Sequence, residues 1–126
     1  MSQRDTLVAS LRKTALTCSK VGWDGYGARA VSAATLAAAL RFVTALPPDL
    51  PDPSVVADAR GALSFEWYVS VFRLISVGIE PDGSLTWAAI LGALCPVGQT
   101  GFLDDLPDDL LVLIHRIVDK REYDKP

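Results

Sequence analysis

A glycine-rich segment near the N-terminus carries the residue types best suited to hold a small ligand. It has the sequence GWDGYGA over residues 22–28, and its motif consists of Trp23, Asp24, Gly25, Tyr26 and Gly27. Backbone N–H groups of such a loop can bind an anion, with Asp24 as a further polar contact. The spacing is neither GxGxxG nor a GK[ST] phosphate-binding loop. Because glycines also allow a tight turn, the segment is equally typical of a helix–helix connector, with Trp23 and Tyr26 anchored on the core.

Four aspartates close together near the C-terminus form a second candidate site. They are Asp104, Asp105, Asp108 and Asp109. The first two can cap the helix that we expect to follow, and the last two favour the positive end of its dipole. The same carboxylates can instead form a negative patch that faces a basic partner surface. Asp49 and Asp52 would extend that patch if the fold brings them near.

The remaining ionisable groups and thiols do not form a catalytic or metal-binding set. The single histidine, His115, has no nucleophile or metal ligand at a useful spacing, so we interpret it as a surface residue of a helix. Glu66 and Glu80 are not spaced to place two carboxylates together for hydrolysis. Cys18 and Cys95 lack a CxxC or Cys/His pattern and are predicted to be free thiols in a reducing compartment. We therefore predict a protein that is not an enzyme and holds no metal or cofactor.

Composition and charge narrow the class of protein further. The chain has 126 residues, of which 50% are hydrophobic and 21% are charged, and this is typical of one compact globular domain. The net charge of −3 argues against a general nucleic-acid-binding function, though not against a local contact. The N-terminus lacks the apolar run of a secretory signal, and no stretch of about 20 uncharged apolar residues occurs. We expect a soluble, cytoplasmic protein without a membrane span.

The N-terminal third of the chain has the apolar spacing of helices. Residues 4–19 and 33–45 are predicted to form a helix pair within 4–46, with Ser32 as the N-cap of the second helix. A connector with four prolines follows at 47–53 and ends that helix.

From residue 54 the apolar residues alternate, as in strands. The pattern predicts a four-stranded antiparallel meander over 54–91, with strands at 54–59, 62–68, 71–80 and 84–91. Residues 92–103 are predicted to be a loop. The last helix is predicted at 107–120, within a C-terminal segment 104–120, with Pro107 in its first turn.

The turns of the meander decide which side chains share a face of the sheet. The first and third turns contain turn residues, Asp58-Ala59-Arg60-Gly61 and Pro81-Asp82-Gly83. The second turn, which we place at Val69-Ser70, contains none. This placement implies the cross-strand pairs Trp67–Phe72 and Glu66–Arg73, and a third turn at Asp82-Gly83 implies the pair Trp87–Gly78.

This register predicts a sheet with apolar side chains on both faces. The face toward the helices would carry Leu63, Phe65, Trp67, Phe72, Leu74, Leu85, Trp87 and Leu91. The second face would carry Tyr68, Val71, Ile75, Val77, Ile79 and Ile90 among its residues. Burying each aliphatic side chain contributes roughly 1.5–3 kcal/mol, so something should cover that face. The cover would be one of the three helices, or a second chain, either another copy or a target protein.

Two motifs resemble a group of small bacterial proteins, most of them uncharacterised. They are Trp23-Asp24-Gly25-Tyr26-Gly27-Ala28 and Gly61-x-x-x-x-Glu66-Trp67. The resemblance covers roughly residues 20–120. It implies a W-D-G-x-G-A loop, a helix and a short meander, without an established activity or catalytic residue. In general character, as a small acidic protein without a catalytic set, the chain also resembles antitoxins and inhibitors from mobile elements, such as anti-CRISPR proteins.

These observations predict a single α+β domain over 1–126, with two N-terminal helices, a four-stranded antiparallel meander and a C-terminal helix. The predicted function is non-enzymatic binding to a protein with a basic surface, as an anti-CRISPR-like inhibitor or an antitoxin that docks on its partner and blocks it. The predicted contact residues are Asp104, Asp105, Asp108, Asp109, Tyr68, Val71, Ile75 and Val77. Two alternatives remain: a small-ligand or anion-binding protein or enzyme that uses the 22–28 loop, and a structural homodimer built through the sheet.

Overall fold

The computed structural model describes residues 3–101 and 105–119, and it begins with two helices. α1 spans Gln3–Thr17 and α2 spans Ala33–Ala45. The bounds of α2 confirm the prediction, because the Ser32 hydroxyl accepts a hydrogen bond from the amide N–H of Thr35 at 3.1 Å, as an N-cap should. The two prolines that follow Leu46 prevent the helix from continuing.

A five-stranded antiparallel sheet follows, with its strands in sequence order from edge to edge. The strands span Ser54–Ala57 (β1), Leu63–Ser70 (β2), Arg73–Ile79 (β3), Leu85–Leu91 (β4) and Val97–Thr100 (β5). A third helix, α3, spans Asp108–Val118. The α+β class and the three helices are confirmed, but the predicted count of four strands is wrong, because β5 lies in the segment predicted as a loop.

The register between β2 and β3 differs from the prediction. The turn consists of Val71 and Phe72, since Ser70 pairs with Arg73, and a bulge interrupts the ladder between Tyr68 and Ser70. Trp67 therefore lies opposite Ile75, three residues further along the chain than the predicted partner Phe72. Because side chains alternate between faces, an odd offset moves every side chain of β3 to the opposite face.

This offset removes the predicted second apolar face. Ile75, Val77 and Ile79 lie on the same face as Phe65 and Trp67, and all three are fully buried. The helices cover this face. The prediction that Ile75 and Val77 lie on a surface that contacts a partner is therefore wrong, because neither side chain reaches solvent.

Two other predicted cross-strand pairs are also wrong. Glu66 lies opposite Ser76 rather than Arg73, and Arg73 instead extends toward the end of α3. Ile79 pairs with Leu85, so Gly78 lies opposite Thr86 and not opposite its predicted partner Trp87.

The indole of Trp87 lies against β5. Trp87 pairs with Gly98, and a Cβ atom placed on Gly98 would lie 2.1 Å from Cζ2 of the indole. Only a residue without a side chain leaves room for the ring at this position. The indole of Trp87 on β4 therefore lies directly over the backbone of β5 at Gly98.

All three helices pack on one face of the sheet and form the core with it. The ring of Phe42 in α2 stacks on that of Phe65 in β2, with centroids 4.7 Å apart. Leu11 of α1 and Ile114 of α3 are fully buried in the same cluster. Within residues 3–101 and 105–119, no helix has the length and apolar composition that crossing a membrane requires.

Candidate functional site

The sheet face that points away from the helices, which we call the outer face, is divided into a polar half and an apolar half. One cross-strand row across it consists of Ser64, Gly78, Thr86 and Gln99. Another row, nearer to the β2–β3 turn, consists of Tyr68, Leu74 and Ile90. The apolar row continues into the two turns at that end of the sheet.

Four exposed apolar side chains lie at this end, and we call them the apolar tip: Tyr68, Val71, Phe72 and Leu94. Their exposed fractions are 58%, 62%, 66% and 62%. Val71 and Phe72 form the β2–β3 turn, and Leu94 belongs to the β4–β5 turn. The two turns are adjacent, because the amide N–H of Gly92 donates to the carbonyl of Phe72 at 2.8 Å.

The β2–β3 turn is ordered without the residues that usually form tight hairpins. Two-residue hairpin turns commonly need positive φ, which only glycines adopt in the described part of the chain. The bulge before Ser70 adds twist, and the Ser70 hydroxyl accepts a hydrogen bond from the amide N–H of Phe72 at 3.2 Å. The turn therefore holds two large apolar side chains in solvent in a defined conformation.

Of the predicted contact residues, Tyr68 and Val71 belong to this tip, whereas Phe72 and Leu94 were not predicted. The predicted turn lies two residues too early in the chain, so the predicted register places Phe72 on the core face. The absence of Gly, Asn, Asp and Pro between Tyr68 and Arg73 was the available signal, since it left the position of the turn open.

Arg73 connects the tip to the C-terminus of α3. Its Nε donates to the carbonyl of Ile117 at 3.3 Å, and its Nη2 donates to the carbonyl of Arg116. These carbonyls are among the last of the helix and lack intrahelical partners. The guanidinium therefore fixes α3 directly behind the β2–β3 turn.

The acidic residues lie at the other end of α3. Asp105, Asp108 and Asp109 are exposed, and Asp104 lies outside the described residues. The residue at the N-cap position is Pro107, without a side-chain cap hydrogen bond, so the prediction that Asp105 caps the helix is wrong. Asp108 and Asp109 do lie in the first turn, where the helix dipole favours negative charge. Asp108 and Arg116 are eight positions apart, which is about 12 Å along the helix.

Asp49 and Asp52 each contact a residue outside the acidic cluster. Asp49 lies beside the last turn of α3, where its Oδ2 is 3.1 Å from Nε2 of His115. Nδ1 of the same histidine is 2.8 Å from the carbonyl of Leu111, so both ring nitrogens already have partners. Asp52 forms an ion pair with Arg4 of α1 at 2.6 Å.

The 22–28 loop binds its own carboxylate. Oδ1 of Asp24 accepts hydrogen bonds from the amide N–H groups of Tyr26 at 2.8 Å and Ala28 at 3.0 Å. These two bonds hold the pKa of Asp24 below its usual range. The carboxylate thus occupies amides that an external anion would need, and this geometry favours the connector over the anion site.

Other contacts of the loop are also those of a connector. The indole N–H of Trp23 donates to the carbonyl of Arg29 at 2.8 Å, and the amide of Arg29 donates to Ala59 at 2.9 Å. Gly25 and Gly27 have φ of +82° and +85°, which is the reason for glycine at both positions. The expectation that Tyr26 anchors the loop is wrong, because its side chain is 92% exposed.

A shallow polar depression of about 210 Å³ lies at the end of the outer face opposite the tip. Oε1 of Glu80 accepts hydrogen bonds from Thr86 Oγ1 at 2.9 Å and from Arg60 Nη2 at 3.2 Å. Arg60 also pairs with Asp58 at 2.9 Å, and the two carboxylates raise its pKa. The first and third turns of a meander share one end of the sheet, and this is the signal in the sequence that brings Asp58, Arg60 and Glu80 together. Arg60 therefore forms ion pairs with both Asp58 and Glu80.

The described residues contain no group of three or more His, Cys, Asp or Glu side chains that could hold a metal ion. Cys18 is buried, which raises the pKa of its thiol, and Cys95 is exposed in the β4–β5 turn. No family model, curated protein or solved structure matches the chain.

Proposed function

We propose that the protein is a non-enzymatic module that binds another protein, with the apolar tip as its main contact surface. The observation that carries this proposal is the exposure of four large apolar side chains at one end of the sheet, one on β2 and three on two adjacent turns. Single exposed apolar residues are common on proteins, whereas a contiguous group marks an interaction site. More than half of the surface of each of these side chains stays in contact with solvent.

The sequence of the β2–β3 turn supports a role outside folding. A turn at this place would form more readily with Asn, Asp or Gly, yet it consists of Val71 and Phe72. Departures from local folding rules are expected where a sequence serves a function. Aromatic side chains such as Tyr68 and Phe72 are also favoured in the buried centres of protein interfaces. The partner that fits this tip has an apolar pocket or groove.

Electrostatics support a partner with a basic surface. Asp105, Asp108 and Asp109 are exposed at the end of α3 that lies away from the tip. Charges away from the contact surface steer a partner and raise its association rate more than they raise its affinity. Docking that blocks a partner, as inhibitors from mobile elements and antitoxins do, requires no catalytic group, and we propose a role of this kind.

The proposal is tested by capturing partners with the tagged protein from lysate of the organism that encodes it. The wild type is compared with Val71→Ser/Phe72→Ser. The matched control is Leu16→Ser/Val21→Ser, whose side chains are 76% and 79% exposed but lie away from the sheet. We expect the control to retain a partner that the tip variant loses.

Affinity measured with the purified partner then decides the question. Removing two apolar contacts of about 1.5 kcal/mol each should weaken binding about a hundredfold. Asp105→Asn/Asp108→Asn/Asp109→Asn should instead slow association and reduce its salt dependence. A tip variant that binds as tightly as the control, or a wild type that enriches no protein, would show that the tip is not a binding surface.

A further inference from the structure

The last strand of the sheet leaves one side unpaired. In the part of the chain that the structure describes, β5 pairs with β4 and has no neighbour on its other side. We propose that two copies of this chain associate through β5, antiparallel across a two-fold axis, and form one continuous ten-stranded sheet. This inference goes beyond the proposed function and uses a different surface.

The hydrogen bonds of the β4–β5 hairpin show which backbone groups point outward. Ala89 N–H donates to Pro96 at 2.9 Å, and Leu91 N–H donates to Leu94 at 2.9 Å. Because hydrogen-bonded pairs alternate in an antiparallel ladder, Gly98 and Thr100 also face β4. The N–H and C=O groups of Val97 and Gln99 therefore point away from the sheet. The backbone of Pro96 faces β4, so the N–H group that this proline lacks is not one of the donors on the outward side of β5.

The two edges of the sheet differ in charge. Residues 92–101 contain no charged side chain, although 21% of the whole chain is charged. At the opposite edge, β1 follows Pro53, precedes Asp58 and packs against α1. Charges and prolines of this kind prevent pairing with another chain. A second copy suits β5 because an uncharged edge can meet itself without repulsion between like charges.

The outward groups of Val97 and Gln99 allow a symmetric register centred on Gly98. Val97 pairs with Gln99 of the second copy, and the reverse pair follows from the two-fold axis, which gives four main-chain hydrogen bonds. Gly98 then lies opposite Gly98 of the second copy, where the chains approach most closely and no side chain intervenes. On the outer face the side chain of Val97, which is 75% exposed, gains cover from the neighbouring copy.

The mass of the full chain, measured by sedimentation velocity over a concentration series, tests the proposal. We expect a dimer in the wild type, and at least a tenfold weaker dimer in Val97→Lys/Gln99→Lys and in Val97→Glu/Gln99→Glu. Like charges face each other in each variant alone, whereas opposite charges face each other in their mixture. Mixing the two variants should restore the dimer, which also shows that both are folded.

Two controls assign the result to this edge. Ser54→Lys/Val56→Lys places the same charges on β1 and should leave the dimer unchanged, as should Val71→Ser/Phe72→Ser at the tip. The second control separates this inference from the proposed function. The proposal is overturned by a wild type that stays monomeric up to millimolar concentration, by a dimer that the β5 variants leave intact, or by a variant mixture that stays monomeric.

Discussion

The packing of Trp87 on Gly98 makes a strong prediction for Gly98→Ala. The added methyl group would lie 2.1 Å from Cζ2 and 2.2 Å from Cε2 of the indole, both well inside van der Waals contact. The indole is 91% shielded from solvent and must move, because the Cβ position is fixed by the backbone of β5. Forcing an extra methyl group into packed surroundings costs about 1–3 kcal/mol.

We expect Gly98→Ala to lower the free energy of unfolding by about 2–3 kcal/mol, at the upper end of that range because the obstacle is a rigid ring. For a chain of this length, this corresponds to a fall in melting temperature of roughly 6–15 °C. Urea unfolding followed by tryptophan fluorescence measures the change, with every variant at the same protein concentration.

Gly101→Ala is the matched control, because a Cβ there meets nothing within 4 Å. It should change stability by less than about 0.5 kcal/mol. Trp87→Leu removes the obstructing ring, so Gly98→Ala should cost much less in that background. A loss below about 0.5 kcal/mol for Gly98→Ala in the wild type would refute the packing argument.

Two further predictions concern the loop and the α3 anchor. Asp24→Ala should lower the melting temperature at pH 7, because Tyr26 and Ala28 lose their acceptor. Since the folded pKa of Asp24 is lowered, the carboxylate stabilises the fold above about pH 4 and ceases to do so as pH falls through the folded value, so the difference from wild type should shrink there. A difference that is constant with pH, or equal to that of Asp105→Ala, would contradict this. Arg73→Met should cost about 1–2 kcal/mol in urea unfolding, because the carbonyls of Arg116 and Ile117 lose a charged donor. Arg12→Met, on the exposed side of α1, is the control, and equal losses would refute the anchor.

Local signals predicted the helices well and the sheet register poorly. Ser32 and the prolines after Leu46 mark both ends of α2 without reference to the rest of the fold. The β2–β3 turn has no such mark, because Val71 and Phe72 are ordinary strand residues. The turn depends on a bulge, and a bulge leaves no signature in the hydrophobic pattern. Because the predicted turn lies two residues too early, the predicted register places Ile75 and Val77 on the wrong face of the sheet.

The fifth strand and the tip depend on contacts that join distant parts of the chain. β5 contains Gly98, which weakens a strand by itself, and its value appears only when the ring of Trp87 lies over it. Leu94 and Phe72 lie on adjacent turns, which are connected by the hydrogen bond from the amide of Gly92 to the carbonyl of Phe72. The sequence predicts Asp24 as a polar contact for a bound anion, whereas in the structure its own carboxylate accepts hydrogen bonds from the amides of Tyr26 and Ala28.

The position of α3 in the chain has a consequence for synthesis on the ribosome. Leu110, Ile114 and Ile117 are fully buried against the sheet, and α3 is translated after all five strands of that sheet. Until it emerges, the inner surface of β2 and β3 lacks part of its cover, although every strand can already pair with its neighbour. A chain that ends after Gly101 therefore has all five strands but an incomplete core, and the exposed apolar surface of such an intermediate favours aggregation and binding by chaperones.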